Sequence, residues 1–80
     1  MNKKLLQIAR RYHEKCIREY KKVCTGRGKR GDLVPANKKE ADRIRYIIKF
    51  ELEWIKDVYS FDGIKRGDID KAIREYRRSL

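Results

Sequence analysis

The stretch NKKEADRIRYIIKFELEWIKDVYS, residues 37–60, decides how the chain folds. Asn37 and Glu40 have the spacing of a capping box, in which the Asn side chain accepts from a free first-turn amide and the Glu reaches back. Behind them Ala41, Ile44, Ile48, Leu52, Ile55 and Tyr59 advance by threes and fours, the repeat of one helical face. Ile47, Phe50, Trp54 and Val58 form a second apolar line beside the first. One neighbouring helix cannot cover an arc this wide. The spacing predicts a helix over 38–59 that is either the centre of a bundle or faces a partner.

Upstream, Leu5, Ile8, Ala9, Tyr12, Cys16, Tyr20 and Val23 repeat the same pattern, with Leu6, Ile17 and Cys24 widening the stripe. This predicts a helix over 3–24, with Thr25 and Gly26 as its stop. Its far side carries Lys4, Arg11, Lys15, Arg18 and Lys22 on one ridge. Downstream, residues 60–63 read as a turn, and Asp68 reads as the cap of a third helix over 69–80 that buries Ile69, Ala72, Ile73 and Tyr76. The outer side of that helix shows Lys71, Arg74 and Arg78.

The expected fold is therefore all-α, a single domain over 1–80. A long antiparallel helical hairpin carries a shorter third helix. Helices of about 22 residues span about 33 Å, whereas one of about 12 residues spans about 18 Å. Half of the hairpin's groove is expected to stay open, for a second copy of the chain or a partner. The connection over 25–37, TGRGKRGDLVPAN, holds three glycines together with Arg27, Lys29 and Arg30, and reads as a loop that orders only on binding.

Charge is the strongest compositional signal. Against 12 Asp and Glu stand 23 Lys and Arg, for a formal net charge of +11. An excess of one sign repels itself in the folded state and suits an anionic partner, nucleic acid first. The excess is uneven. Residues 1–24 hold eight cations and two acids, a net of +6, and residues 25–37 add +2, whereas residues 38–59 contribute only +1. Abundant Lys and Glu also resemble the composition of heat-loving proteins, which explains many charges but not their sign.

Chemistry-bearing motifs are few. GRGKRG lacks the spacing and the Lys-Ser/Thr ending of a phosphate-binding loop. His13 and Cys16 have no second ligand pair, so no metal or other cofactor is expected. Asp68 and Asp70 are accounted for by capping and the helix dipole. Glu51, Glu53 and Asp57 read as partners for Lys49 and Lys56. Cys16 and Cys24, about 12 Å apart along one helix, cannot bridge. With no apolar run long enough for a signal peptide or a membrane span, the reading is cytoplasmic.

The expected function is binding rather than catalysis. The chain is read as nucleic-acid-binding, duplex DNA favoured, contacting mainly phosphates along a track from the first helix into the 25–37 loop. The alternative is a protein-interaction module or small inhibitory subunit whose Ile47, Phe50, Trp54 and Val58 line docks on an acidic partner. A homodimer is expected in the first case. A plasmid, a virus or a small host regulator would each suit such a protein.

Overall fold

The computed structural model describes residues 2–80 and contains three helices, α1 (Lys3–Val23), α2 (Lys38–Ser60) and α3 (Arg66–Ser79). Two strands of two residues each, β1 (Gly26–Arg27) and β2 (Leu33–Val34), form an antiparallel hairpin between α1 and α2. The fold is the small all-α three-helix arrangement that the periodicity implies.

α1, rather than α2, is the centre. Its inner stripe Ile8, Ala9, Tyr12 and Cys16 is buried with Ile55 of α2 and Ile69, Ala72 and Ile73 of α3. Its carboxyl end builds a second, smaller cluster in which Val23 and Cys24 meet Ile44 of α2, with Tyr20, Leu33, Ile47 and Ile48 packed against them. Ile8 meets the far end of α2 and Val23 its beginning, so the two long helices run antiparallel. α2 buries only Ile44 and Ile55. Of its second apolar line only Ile47 joins the core, while Phe50, Trp54 and Val58 stay exposed because α3 docks chiefly against α1.

The open half of the groove is partly filled from within the chain. Leu33 of β2 lies over the end of α1, where the third helix does not reach. Residues 25–37 are thus an ordered hairpin instead of a free loop. Besides the strand pairing, the Gly28 amide donates to the Asp32 carbonyl at 2.8 Å, and the Gly31 amide to the Gly28 carbonyl at 3.0 Å. Gly31 sits at φ +80, a left-handed position that only glycine occupies cheaply. Gly26 matters differently: a Cβ there would stand 2.9 Å from the Val34 carbonyl oxygen and 3.1 Å from the Ala36 Cα.

Two helix ends differ from the expectation, and the turn expected at 60–63 forms between them. α1 stops at Val23 with Cys24 extended, so Gly26 is not its terminator. α2 ends in a Schellman motif. The Ile64 amide reaches the Tyr59 carbonyl, the Gly63 amide reaches that of Ser60, and Gly63 takes φ +80. α3 begins at Arg66, three residues before the expected start, so Asp68 lies within its first turn and is not its cap; Lys65 holds that position without a side-chain bond. The early start follows from α2, whose Glu53 and Asp57 carboxylates both accept from the Arg66 guanidinium. Lys56 in turn pairs with Asp70 of α3 at 2.9 Å. The acids of α2 therefore clamp the third helix, with neither Glu53 nor Asp57 paired to Lys49 or Lys56.

Candidate nucleic-acid interface

Because the core is made by one side of α1, the other side is free to be basic. Its exposed positions include Lys3, Lys4, Arg10, Arg11, Arg18, Lys21 and Lys22, and the only acid among them is Glu14. Glu14 is occupied by Arg10, whose Nε lies 3.2 Å away one turn back. Lys4 pairs with Asp62 at 3.3 Å. Half-buried Glu19 faces both Lys15 at 3.6 Å and Lys22 at 3.7 Å. Arg11 and Arg18 have no ion pair among the described residues, and neither do Lys3 and Lys21. Sequence reasoning followed a single ridge and so passed over Lys3, Arg10 and Lys21; counting every position outside the apolar arc would have found them.

The hairpin presents the next group. Lys29 and Arg30 project from its tip, both exposed, while Arg27 donates to the Gly31 carbonyl at 3.4 Å and helps hold the turn. Asp32 and Leu33 of the hairpin share a depression with Ile17, Tyr20 and Lys21. The hairpin therefore leans on the Ile17–Lys21 flank of α1. Arg11, Lys15 and Arg18 line the opposite flank, in a cleft of about 480 Å³ shared with Glu51, Trp54 and Val58 of α2 over a floor that includes Ile8 and Ile55. The expected continuous track is thus two groups of cations bordering the outer face of α1, joined across it by Lys21 and Arg18.

A clasp at the base of the hairpin sets where these charges stand. Asn37 caps α2 by accepting from the Glu40 amide at 3.0 Å, as the spacing implies. The Glu40 carboxylate does not complete the capping box. It accepts from the Ala36 amide at 2.6 Å, the Thr25 hydroxyl at 2.8 Å and the Thr25 amide at 3.2 Å, which ties both hairpin stems to the first turn of α2. These bonds, Ala36 foremost, hold its carboxyl below the usual range. Nothing in a local capping pattern reveals that the acid also binds Thr25, fifteen residues away.

The α3 cations belong to other surfaces. Arg74 borders a depression with Arg77, Asp70 and Tyr12, and Lys71 another with Asp68 and Glu75. Arg78 is exposed in the last turn. None of the three lines the cleft that holds Arg11, Lys15 and Arg18.

No protein-family model matches the chain, and no curated protein or solved structure resembles it significantly. Geometry and charge alone carry the functional reading.

The remaining chemistry-bearing groups are structural. His13 packs edge-on against Tyr76 of α3, ring centroids 5.6 Å apart. Both cysteines are free and buried, and burial pushes the Cys16 thiol up, away from reactive thiolate. Among the described residues no group of three His, Cys, Asp or Glu side chains converges on a metal site, and no helix is long and apolar enough to cross a membrane. Of the candidate interface on α2, Ile47 is half-buried against the smaller cluster, whereas Phe50, Trp54 and Val58 are exposed, joined by Tyr46.

Proposed function

We propose that this protein binds nucleic acid, with duplex DNA favoured, by neutralising phosphates along the outer face of α1 and at the hairpin tip. The observation that carries this reading is the one-sidedness of α1: seven exposed cations on its solvent side against one acid, already bonded to one of them. A helix of 21 residues extends about 30 Å, which is enough for a row of contacts along a phosphate backbone. Backbone contacts position without reading sequence. The outer face of α1 has only Gln7 as a base-reading amide within it, so base preference is limited. The tip cations, held by a formed hairpin rather than a slack loop, bind without a large ordering cost. Two free, buried thiols fit a reducing, intracellular setting.

The test is fluorescence anisotropy of labelled duplex DNA, single-stranded DNA and duplex RNA at two salt concentrations. Submicromolar binding to duplex DNA that weakens steeply with salt supports the reading, and weak binding to all three at low salt refutes it.

A second reading has its own observation. Phe50, Trp54 and Val58 stand in solvent, which suits a face that docks on a protein, and Arg11, Lys15 and Arg18 on the rim of the same cleft offer charge to an acidic partner. Trp54→Ala would then abolish partner binding, whereas phosphate binding by α1 would survive it.

A further inference from the structure

The cleft between α1 and α2 joins two kinds of group that a plain phosphate track does not need. Its α1 wall carries Arg11, Lys15 and Arg18, and its α2 wall carries Trp54 and Val58 above a floor that includes Ile8 and Ile55. Its volume of about 480 Å³ is within the range of sites that take a small organic group. Trp54 is 55% exposed, and one ring per turn leads away from it along α2, Phe50 at 63% and Tyr46 at 72%. The planes of Phe50 and Tyr46 are 20° apart, with ring centroids separated by 6.4 Å. The row rises about 12 Å from end to end. At about 150–250 Å² per aromatic side chain the three rings expose roughly 400 Å², a patch of the size that on a monomer is often functional.

The charges around the rings restrict what lies on them. Two acids line the cleft, Glu14 and Glu51. Glu14 is already bonded to Arg10, and Lys15 shares Glu19 with Lys22. Arg11 and Arg18 have no ion pair among the described residues, so the α1 wall stays positive against Glu51. Along the row itself charge is mixed: Asp42, Glu53 and Asp57 stand among Lys39, Arg43 and Lys49, and Arg66 bonds Glu53 and Asp57. The occupant therefore needs flat apolar groups over α2 and negative charge kept to its α1 side. A second copy of the chain, itself at +11, brings repulsion instead. A glutamate-rich helix brings negative charge but no flat faces for the rings. Unpaired nucleic acid has the required form, because aromatic platforms beneath the bases and a basic wall along the backbone are what hold single strands.

We infer that this cleft takes unpaired bases of nucleic acid, one stacked on Trp54 with the backbone phosphates at Arg11, Lys15 and Arg18, and the next ones over Phe50 and Tyr46. This rests on the reading of the protein as nucleic-acid-binding and narrows its target to a duplex that carries a single-stranded stretch. Arg11 and Arg18 border both the outer face of α1 and the cleft, so a strand leaving the duplex stays on phosphate contacts as it enters.

The test titrates the whole chain with a blunt DNA duplex, the same duplex with a short thymidine tail, and the same duplex with an abasic tail of equal length. Anisotropy gives the affinity, and the emission of Trp54, the single tryptophan, reports stacking. The thymidine tail should quench Trp54 and tighten binding about tenfold over the blunt duplex. The abasic tail, with the same phosphates and no bases, should leave the emission unmoved and gain less. Trp54→Leu alters an exposed position outside the core, so it should stay folded by circular dichroism, bind the blunt duplex like the parent and lose most of the thymidine gain; Trp54→Phe, which keeps a ring, should retain it. Equal affinity for the two tails, with blunt-duplex binding intact, overturns the cleft as a base site and leaves the phosphate reading standing. Absence of binding to all three probes at low salt overturns both. A Trp54 shift on adding a glutamate-rich helical peptide, with none on adding the thymidine-tailed duplex, overturns the inference by giving the cleft to an acidic protein.

Discussion

Removing charges from the outer face of α1 and from the hairpin tip tests the phosphate reading quantitatively. Six cations in these two groups have no carboxylate partner among the described residues: Lys3, Arg11, Arg18, Lys21, Lys29 and Arg30. If each displaces one condensed counterion, the logarithm of the binding constant falls with the logarithm of salt concentration at a slope of about −5. Affinity for duplex DNA then drops about 10³-fold between about 50 and 200 mM salt. Arg11→Ala with Arg18→Ala, or Lys29→Ala with Arg30→Ala, removes two contacts and brings the slope to about −4; the quadruple variant comes to about −2. All four side chains are exposed and bond to no carboxylate, so thermal melts should agree within a few degrees. The assay is fluorescence anisotropy over a salt series. Equal slopes for the parent and the quadruple variant would refute the assignment, because the released ions would then come from elsewhere. A reduction with the α1 pair but none with the tip pair would confine the interface to the helix.

Glu40→Gln should loosen the hairpin while leaving α2 capped by Asn37, which faster amide exchange at Thr25 and Ala36 with unchanged helix content would show. Since the Glu40 carboxyl is held low in the fold, its contribution is present in full above the ordinary glutamate range near about 4.3 and fades as pH falls through the lowered value; hairpin exchange should therefore quicken only in acid. Burial pushes the Tyr12 phenol well above its ordinary value. Its neutral form is thus favoured in the fold, and stability should decline once pH passes the unfolded value near about 10; absorbance titration should find one tyrosine that ionises only on unfolding. Ile69→Ala empties a side chain with 0% exposure at the junction of the three helices and should cost about 3–4 kcal/mol in urea unfolding; a loss below about 1 kcal/mol would show that the site collapses.

The helical periodicity of residues 3–23 and 38–60 was legible because both arcs are read from local spacing, which the core uses directly. Which helix would be central was not. α2 has the wider apolar arc, yet Phe50, Trp54 and Val58 stay in solvent because α3 packs chiefly on α1, burying Ile69, Ala72 and Ile73 in the cluster that holds Ile8, Ala9 and Tyr12. That choice depends on shape between elements, and no single-helix pattern encodes it. The start of α3 was missed for a similar reason: Asp68 read as the cap, but Arg66 stands in the first turn, paired with two acids on another helix. In the 25–37 segment the glycines were read as freedom. Two of them do the opposite, Gly31 by taking a left-handed turn and Gly26 by letting Val34 and Ala36 approach.

The division of labour on α1 makes the functional reading separable from stability. Its inner residues build both hydrophobic clusters, so nearly any change there alters the whole fold. Its outer cations make few bonds inside the molecule: the pairs with Glu14 and Asp62 are exposed, and such pairs contribute between about 0 and 1 kcal/mol each. The acid with the most bonds inside the molecule is elsewhere, on α2, where Glu40 holds the hairpin, while Glu53 and Asp57 pair with Arg66 of α3 at the surface. Had the positive charge served folding, it would be interleaved with these acids. Much of it is instead gathered on the outer face of α1, which the core leaves free, and such a surface suits the external anion proposed as its partner.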